Sequence, residues 1–403
     1  MSFLLSRGSV LPVIIALATQ IAVALTLASI QVAAPTIAHD IQLETRWIGP
    51  FVAGCYVAAM AVSLIAGRVV LKYDSVRASQ ASLVSAAIGA LLFSTSWNPA
   101  MLASMVFYGA AIGLVVPASS QLIARHASSR ELPLAMSLGQ AGMTVGRLVA
   151  GLVVPTMAIL ADWSDTLIAA AVAALALAVI LEGAHRPLEP ASMRYHRLAR
   201  RHAMAPLTLF RDYPDLRRLA FASVAFAGAQ LSLVVYLVAY LHEEAGLTLT
   251  VAGFAFALAQ TAGIASRFVI GALAASSGRP RMVLAGIGLA MAVSMAGASV
   301  LSPGWPTGLI LLGAILLGSV AMSWNGLMFA EVIRSAGREH AAVASSAISL
   351  VTFLGLIIGP ALFGGLLALG GGYGHGFLAF ATLVALASVA IIGQPRLVTN
   401  SAK

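Results

Sequence analysis

Apolar residues gather along this chain in long continuous runs, each closed by a short polar or charged break. At the helical rise, a span needs about 20 apolar residues to cross a bilayer core of roughly 30 Å. Runs of that length recur and predict twelve helices, at about 11–34, 48–69, 78–96, 101–124, 132–160, 166–184, 216–241, 248–273, 282–301, 306–330, 342–369 and 376–394. The runs do not alternate and are about twice the length of a barrel strand, which argues against strands. The pattern therefore predicts an all-α integral membrane protein, a helical bundle of twelve transmembrane helices. The first run is too long for a signal-peptide core and further spans follow it, so it is expected to be retained.

Composition supplies the reason for a bilayer rather than a soluble core. Of 403 residues 60% are hydrophobic and 9% charged, with a mean hydropathy of +0.96, more apolar side chain than a soluble interior hides. Charge placement then orients the chain. Between His185 and Arg218 lie eight arginines, Arg186, Arg194, Arg197, Arg200, Arg201, Arg211, Arg217 and Arg218. They predict a basic cytoplasmic linker at 185–215 between six-helix bundles at 1–184 and 216–403. With the N-terminus in the cytoplasm, all of the 23 basic residues except Arg46, Arg147 and Arg267 fall on that side. The opposite side receives Arg46 together with Asp40, Glu44, Asp162, Asp165, Glu243 and Glu244.

This asymmetry is the positive-inside signature. It predicts a multi-pass protein of a bacterial inner (plasma) membrane with both termini cytoplasmic. It also accounts for the net charge of +9 without nucleic acid, leaving membrane lipid as the partner of the linker arginines. The lone Cys55 lies in an apolar run, the place of a small buried hydrophobe, and gives neither a disulfide framework nor a multi-cysteine metal site. With no Walker motif, no GxSxG and no metal-ligand cluster, neither an ATP-driven pump nor an enzyme is indicated, and no cofactor is expected.

The two halves read as copies. The second helix ends in Gly67 to Arg77, GRVVLKYDSVR, and the eighth in Gly271 to Arg281, GALAASSGRPR, two tight turns with basic ends. The fifth helix carries Gly142, Gly146, Arg147 and Gly151, and the eleventh carries Gly355, Gly359, Pro360 and Gly364 at the same spacing. Such glycines let helix backbones approach closely, as a moving interface between halves requires. Two six-helix repeats joined by a basic loop are a transporter plan.

As a set, these features resemble the major facilitator superfamily over essentially the whole chain. Its turn pattern G-x-x-x-D-R/K-x-G-x-R/K-R/K is kept at Gly67, Lys72 and Arg77, with Leu71 in place of the aspartate and Asp74 in place of the second glycine. The resemblance implies a gate at the cytoplasmic face containing Gly67, Lys72, Arg77 and Gly271. Glu331 and Arg334 fit either a gate or an interfacial ion pair at the end of the tenth helix. The arginine that many proton-coupled members carry in the fourth helix is missing, since Met105 precedes Gly109 and Gly113; this counts against proton antiport of drugs. A closer likeness is to the bacterial cyanate-permease-like members, carried by Pro117 to Ser120, Ser137 to Gly142, Tyr236 to Glu244, Ser266 to Gly271 and Trp324 to Glu331. That group implies small organic or inorganic anions as the substrate class.

Two basic residues remain inside the predicted spans, Arg147 and Arg267, while the 14 carboxylates fall in loops or near helix ends, Glu182 and Glu331 closest to the membrane. A charge in the membrane is costly without a partner, so an anionic substrate is expected to supply one. Arg147 lies about fifteen residues into its span and shares a face with Gln140, Thr144 and Gly151. The competing reading is an arginine satisfied by carbonyls at a helix break. Arg267 shares a face with Gln260 and Gly263 that looks toward a central cavity; it either meets the substrate or snorkels to tie down the following turn. Arginine suits carboxylates because its fork donates two parallel hydrogen bonds.

Helices one, four, seven and ten line the cavity in the superfamily, so the resemblance adds Gln20, Ser120, Gln230, Tyr236, Trp324 and Asn325. Each reads equally well as helix–helix glue. The reading reached is a monomeric secondary carrier for a small anion, working by alternating access. With no buried carboxylate or histidine to titrate, exchange is expected, or symport in which the proton travels with the substrate. Its rivals are a drug exporter, which predicts an acidic residue in the cavity, and a carrier-like membrane sensor that transports nothing.

Overall fold

The computed structural model describes residues 6–41, 48–160, 162–188, 208–301 and 304–392. Apart from its two ends, the basic linker lies outside the described residues, as do Glu44, Arg46, Arg396 and Lys403. Numbered in chain order, the membrane-length helices are α1 (Arg7–Val32), α2 (Ile48–Tyr73), α3 (Ser75–Ser94), α4 (Asn98–His126), α5 (Leu132–Leu160), α6 (Trp163–Leu188), α7 (Pro214–Glu243), α8 (Leu249–Ser277), α9 (Pro280–Ala298), α10 in two pieces (Thr307–Ala321 and Trp324–Ala336), α11 (Ala341–Ala368) and α12 (Tyr373–Ile392). Twelve spans are long and apolar enough to cross a membrane, and no strand occurs among the described residues. A helix is what such runs must form, because it alone pairs every backbone N–H and C=O of a single segment away from water. Several ends fall about four residues outside the expected ones, and the largest departure is in α10, which breaks at Met322 and Ser323 and continues to Ala336 rather than ending near residue 330.

The same helix pairs recur in each half. α1 packs on α5 as α7 packs on α11, α2 on α4 as α8 on α10, and α3 on α6 as α9 on α12. Between the halves, α2 meets α11 and α5 meets α8, the same relation seen from either side. The α8–α9 turn places Gly278 at φ 65°, and the α2–α3 turn places Asp74, seven residues past Gly67 as Gly278 is past Gly271, at φ 71°. Gly278, at ψ 1°, takes the left-handed conformation that glycine adopts freely, whereas Asp74, at ψ 163°, holds a positive-φ extended conformation that residues with a side chain rarely adopt. Gly278→Val is expected to lower unfolding stability by about 1–2 kcal/mol, read as a lower thermal midpoint in detergent.

The glycines of α5 and α11 correct an expectation. Gly142 and Gly146 pack on α1, and Gly355, Gly359 and Gly364 on α7, inside each half and not at a moving interface between halves, while Gly151 faces open space. A Cβ on Gly142 would stand 2.6 Å from the Leu17 carbonyl oxygen of α1, and one on Gly359 2.3 Å from Gly228 Cα of α7. The spacing records that a backbone approaches closely but not which backbone. The glycines that do face the other half are Gly67, 2.8 Å from Val343 Cα, Gly271, 2.9 Å from Ser137 Cβ, and Gly326, 2.2 Å from Ser137 Cα, each measured from the Cβ that glycine lacks.

Candidate functional site

The halves close on one another toward the face that carries the α2–α3, α4–α5, α8–α9 and α10–α11 turns, here called the linker face. Arg338, Ala342 and Arg267 hydrogen-bond across to the first half on this side of the molecule. Arg338 donates to the Ala127 carbonyl at 2.6 Å, the Ala124 carbonyl at 3.5 Å and Ser129 Oγ at 3.1 Å. The Ala342 backbone N–H donates to Gln121 Oε1 at 2.7 Å. Arg267 Nη1 donates to the Gln140 carbonyl at 2.9 Å. Gln140 is about 12 Å along α5 from its start at Leu132.

Further along the same helix, about 22 Å from its start, Arg147 is exposed in a cleft of about 260 Å³, its open mouth included. Val23, Ala24, Leu27 and Ala28 of α1, Ile112 of α4 and Met143 of α5 make the cleft's apolar wall, and Gln31, Tyr56 and Arg147 supply its polar atoms. Arg147 Nη2 donates to the Tyr56 hydroxyl at 3.4 Å. Among the described residues no carboxylate pairs with it. The alternative of an arginine held by carbonyls at a helix break finds no support, since α5 runs unbroken from Leu132 to Leu160.

Arg267 departs from its expected place. It is 4% exposed, and its Nε has no partner. It sits in the closed contact between α5 and α8 and does not face the cleft, although the two guanidinium groups act on one another electrostatically. The reason is local: Gly271, one turn on, brings α8 against Ser137 and Leu134 of α5, which buries the side chain that precedes it. The predicted face of α5 is thereby divided. Gln140 and Thr144 are buried in the closed part and Arg147 stands in the cleft.

The remaining candidates separate into groups. Gln20 is fully buried where α1 meets Gly142, with neither amide atom hydrogen-bonded. Ser120 Oγ and Gln260 Oε1 are likewise buried without partners. Gln230, Trp324 and Asn325 come together at the break in α10. Gln230 Oε1 accepts from Trp324 Nε1 at 3.1 Å and from Asn325 Nδ2 at 3.3 Å, and Gln230 Nε2 contacts Met322 Sδ at 3.1 Å. Tyr236 is not with them. It donates to the Pro360 carbonyl at 3.0 Å and stacks on Phe363 at 4.7 Å, tying α7 to α11.

The gate candidates divide in the same way. Gly67 and Gly271 lie in the contact between halves, but the basic ends of their turns do not cross it. Lys72 lies over the ring of Tyr73 at 4.7 Å. Arg77 pairs with Glu182 of α6, Nη2 to Oε1 at 2.8 Å, and its counterpart Arg281 reaches Asp215 at 3.4 Å and the Ile391 carbonyl at 2.6 Å. Each of these arginines pins helices of its own half. Glu331 corrects another expectation: because α10 continues to Ala336, its carboxylate is fully buried, held by Arg334 at 3.0 and 2.7 Å.

The bridging arginine, Arg338, was missed from sequence. Its signal is a repeat: Arg130–Glu131 and Arg338–Glu339 lie in corresponding turns. Glu131 anchors the first of these turns. Burial pushes its carboxyl up, yet hydrogen bonds from Ser128 and Ser6 outweigh this and hold it at about 2. Tyr56 was missed too, although a lone tyrosine in an apolar run must find its hydroxyl a partner.

The family model of the Major Facilitator Superfamily matches residues 16–360. No curated protein matches the chain. Among solved structures, the fold is similar to the E. coli fucose:proton symporter FucP, with a TM-score of 0.79 at 16% identity, covering 96% of this chain and 98% of that one. FucP in the outward conformation gives a TM-score of 0.77 at 16% identity, covering 96% and 99%. The human organic anion transporter MFSD10 gives 0.73 at 14% identity, covering 94% and 98%. At such identities the likeness is one of fold.

Proposed function

The chain belongs to the Major Facilitator Superfamily, a family of membrane transporters rather than enzymes, and from that premise we propose that it is a secondary carrier of a small organic or inorganic anion. The observation that carries this reading is Arg147, exposed in a cleft with a phenol and no carboxylate as its partner. A guanidinium held there without a carboxylate offers an entering anion two parallel N–H donors. The drug-exporter reading needs an acid among the cleft residues, and none lines it. In our reading the cleft is the outward-open half of an alternating-access pathway, and the likeness to FucP in the outward conformation supports this.

Its inner half is then the closed contact between bundles, to which we assign the buried hydroxyls of α2, α4 and α11, Ser63, Ser119, Ser120, Ser345 and Ser349, that have no partner among the described residues. Opening toward the linker face would give those groups water. That face carries Arg68, Lys72, Arg77, Arg125, Arg130, Arg279 and Arg338, and we place it in the cytoplasm of a bacterial inner membrane. The two six-helix bundles at 1–184 and 216–403 rock about the site within a monomer. Glu331 is already neutralised by Arg334, so exchange, or symport in which the proton rides on the substrate, remains the proposed coupling.

The test is a thermal-shift screen of the purified protein with monocarboxylates, dicarboxylates, cyanate, nitrate and cationic drugs, followed by flux into liposomes. An anion at 100 times its dissociation constant is expected to add about 2.7 kcal/mol of stability. A protein stabilised by cations alone sinks the anion reading, and one that binds an anion without flux is a sensor.

A further inference from the structure

We propose that the substrate is a monocarboxylate with an apolar tail, its carboxylate on Arg147 and Tyr56 and its tail along α1. This rests on the anion reading and narrows it. The first argument is the composition of the cleft. Opposite a single guanidinium stands a wall of Val23, Leu27, Ile112 and Met143. A compact, strongly hydrated anion entering here would trade its water for hydrocarbon on most sides and recover few hydrogen bonds. A carboxylate with a short hydrocarbon tail loses water only at the end where donors wait.

The second argument is charge number. The other intramembrane arginine, Arg267, does not line the cleft; it is 4% exposed and donates to the Gln140 carbonyl. A dicarboxylate would therefore have one carboxylate paired and the other against the apolar wall. The third argument is the phenol. Tyr56 accepts from Arg147 through its oxygen and has no other hydrogen-bond partner among the described residues, so its O–H is available to donate. One carboxylate can take the guanidinium and the phenol O–H together, which leaves Gln31 as the remaining polar side chain of the cleft.

The experiment measures affinities by thermal shift, with counterflow in proteoliposomes, for propionate, butyrate and valerate, for malonate and glutarate, and for nitrate and cyanate. Butylamine and butanol serve as controls for plain apolar binding. Affinity is expected to rise about fourfold per added methylene, the equivalent of about 0.8 kcal/mol. Glutarate is expected to bind at least tenfold more weakly than valerate, a charged carboxylate replacing the apolar end of the tail. Leu27→Asn should flatten the chain-length slope, and Ile112→Thr serves the same purpose where the first variant fails to fold.

A flat slope in the wild type, glutarate matching valerate, or nitrate or cyanate outcompeting butyrate overturns the monocarboxylate assignment while the anion reading stands. A slope that persists in both cleft variants overturns the placement of the tail. Butanol or butylamine binding as well as butyrate, or no shift with any anion, defeats the anion reading itself.

Discussion

Arg147→Ala is expected to abolish anion-dependent stabilisation and transport while the protein still folds. Truncating one partner of a desolvated, hydrogen-bonded charge pair costs about 2–5 kcal/mol, which corresponds to a loss of affinity between about 30-fold and several thousand-fold. The fold has little to lose by the change. Arg147 is exposed, makes one long hydrogen bond to Tyr56, and occupies the position that Pro360 holds in the second half. Arg147→Lys should recover only part of the affinity, because an ammonium is a point charge and cannot offer two parallel N–H bonds to one carboxylate. The check pairs melting curves without ligand with titrations of the ligand found by the screen. If the unliganded variant melts far below the wild type, the arginine is structural. If ligand binding survives in a well-folded variant, the central-arginine site is wrong.

The same residue shows what a sequence reading reaches and where it stops. A lone cation about fifteen residues into an apolar span stands out from sequence, because the bilayer penalises charge by depth and depth is counted along the chain. The twelve spans were legible for the same reason. Tyr56 was not, since its importance lies in which helix faces α5, and hydropathy carries no such information. The break in α10 was hidden too: Met322 and Ser323 lie inside one predicted span, and the kink is a backbone event that a count of apolar residues does not mark. Missing it shortened the helix and hid the burial of Glu331. Arg267 was seen but misplaced, because a periodicity assigns a side chain to a face and leaves open whether that face looks into a cavity or into another helix. Lys72 and Arg77 were read through a family pattern, and the partner of Arg77 proved to be Glu182 of its own half.

The second large effect separates packing within a half from packing between halves. Gly359→Val is expected to unfold or grossly destabilise the second bundle, because a Cβ there would meet the Gly228 backbone at 2.3 Å, in the permanent contact of α11 with α7. Gly326→Val is expected to behave differently, although its clash is as severe, 2.2 Å from Ser137 Cα. Ser137 belongs to the other half. If the halves rock, the strain is relieved by parting them at the linker face, and neither bundle has to be broken. Overpacking costs about 1–3 kcal/mol, which moves an equilibrium between two states by about 5- to 150-fold. The variant should therefore melt near the wild type, lose transport, and rest open to the linker face. Ser345→Cys reports on this, being fully buried one turn past Ala342, whose N–H meets Gln121 of the other half, while the native Cys55 is itself fully buried and gives little background. In membranes that expose the linker face, a maleimide should label Ser345→Cys many-fold faster when Gly326→Val is present. Unchanged labelling, or a Gly326→Val protein that unfolds as Gly359→Val does, would mean that the contact between halves is fixed and that the cleft at Arg147 does not alternate.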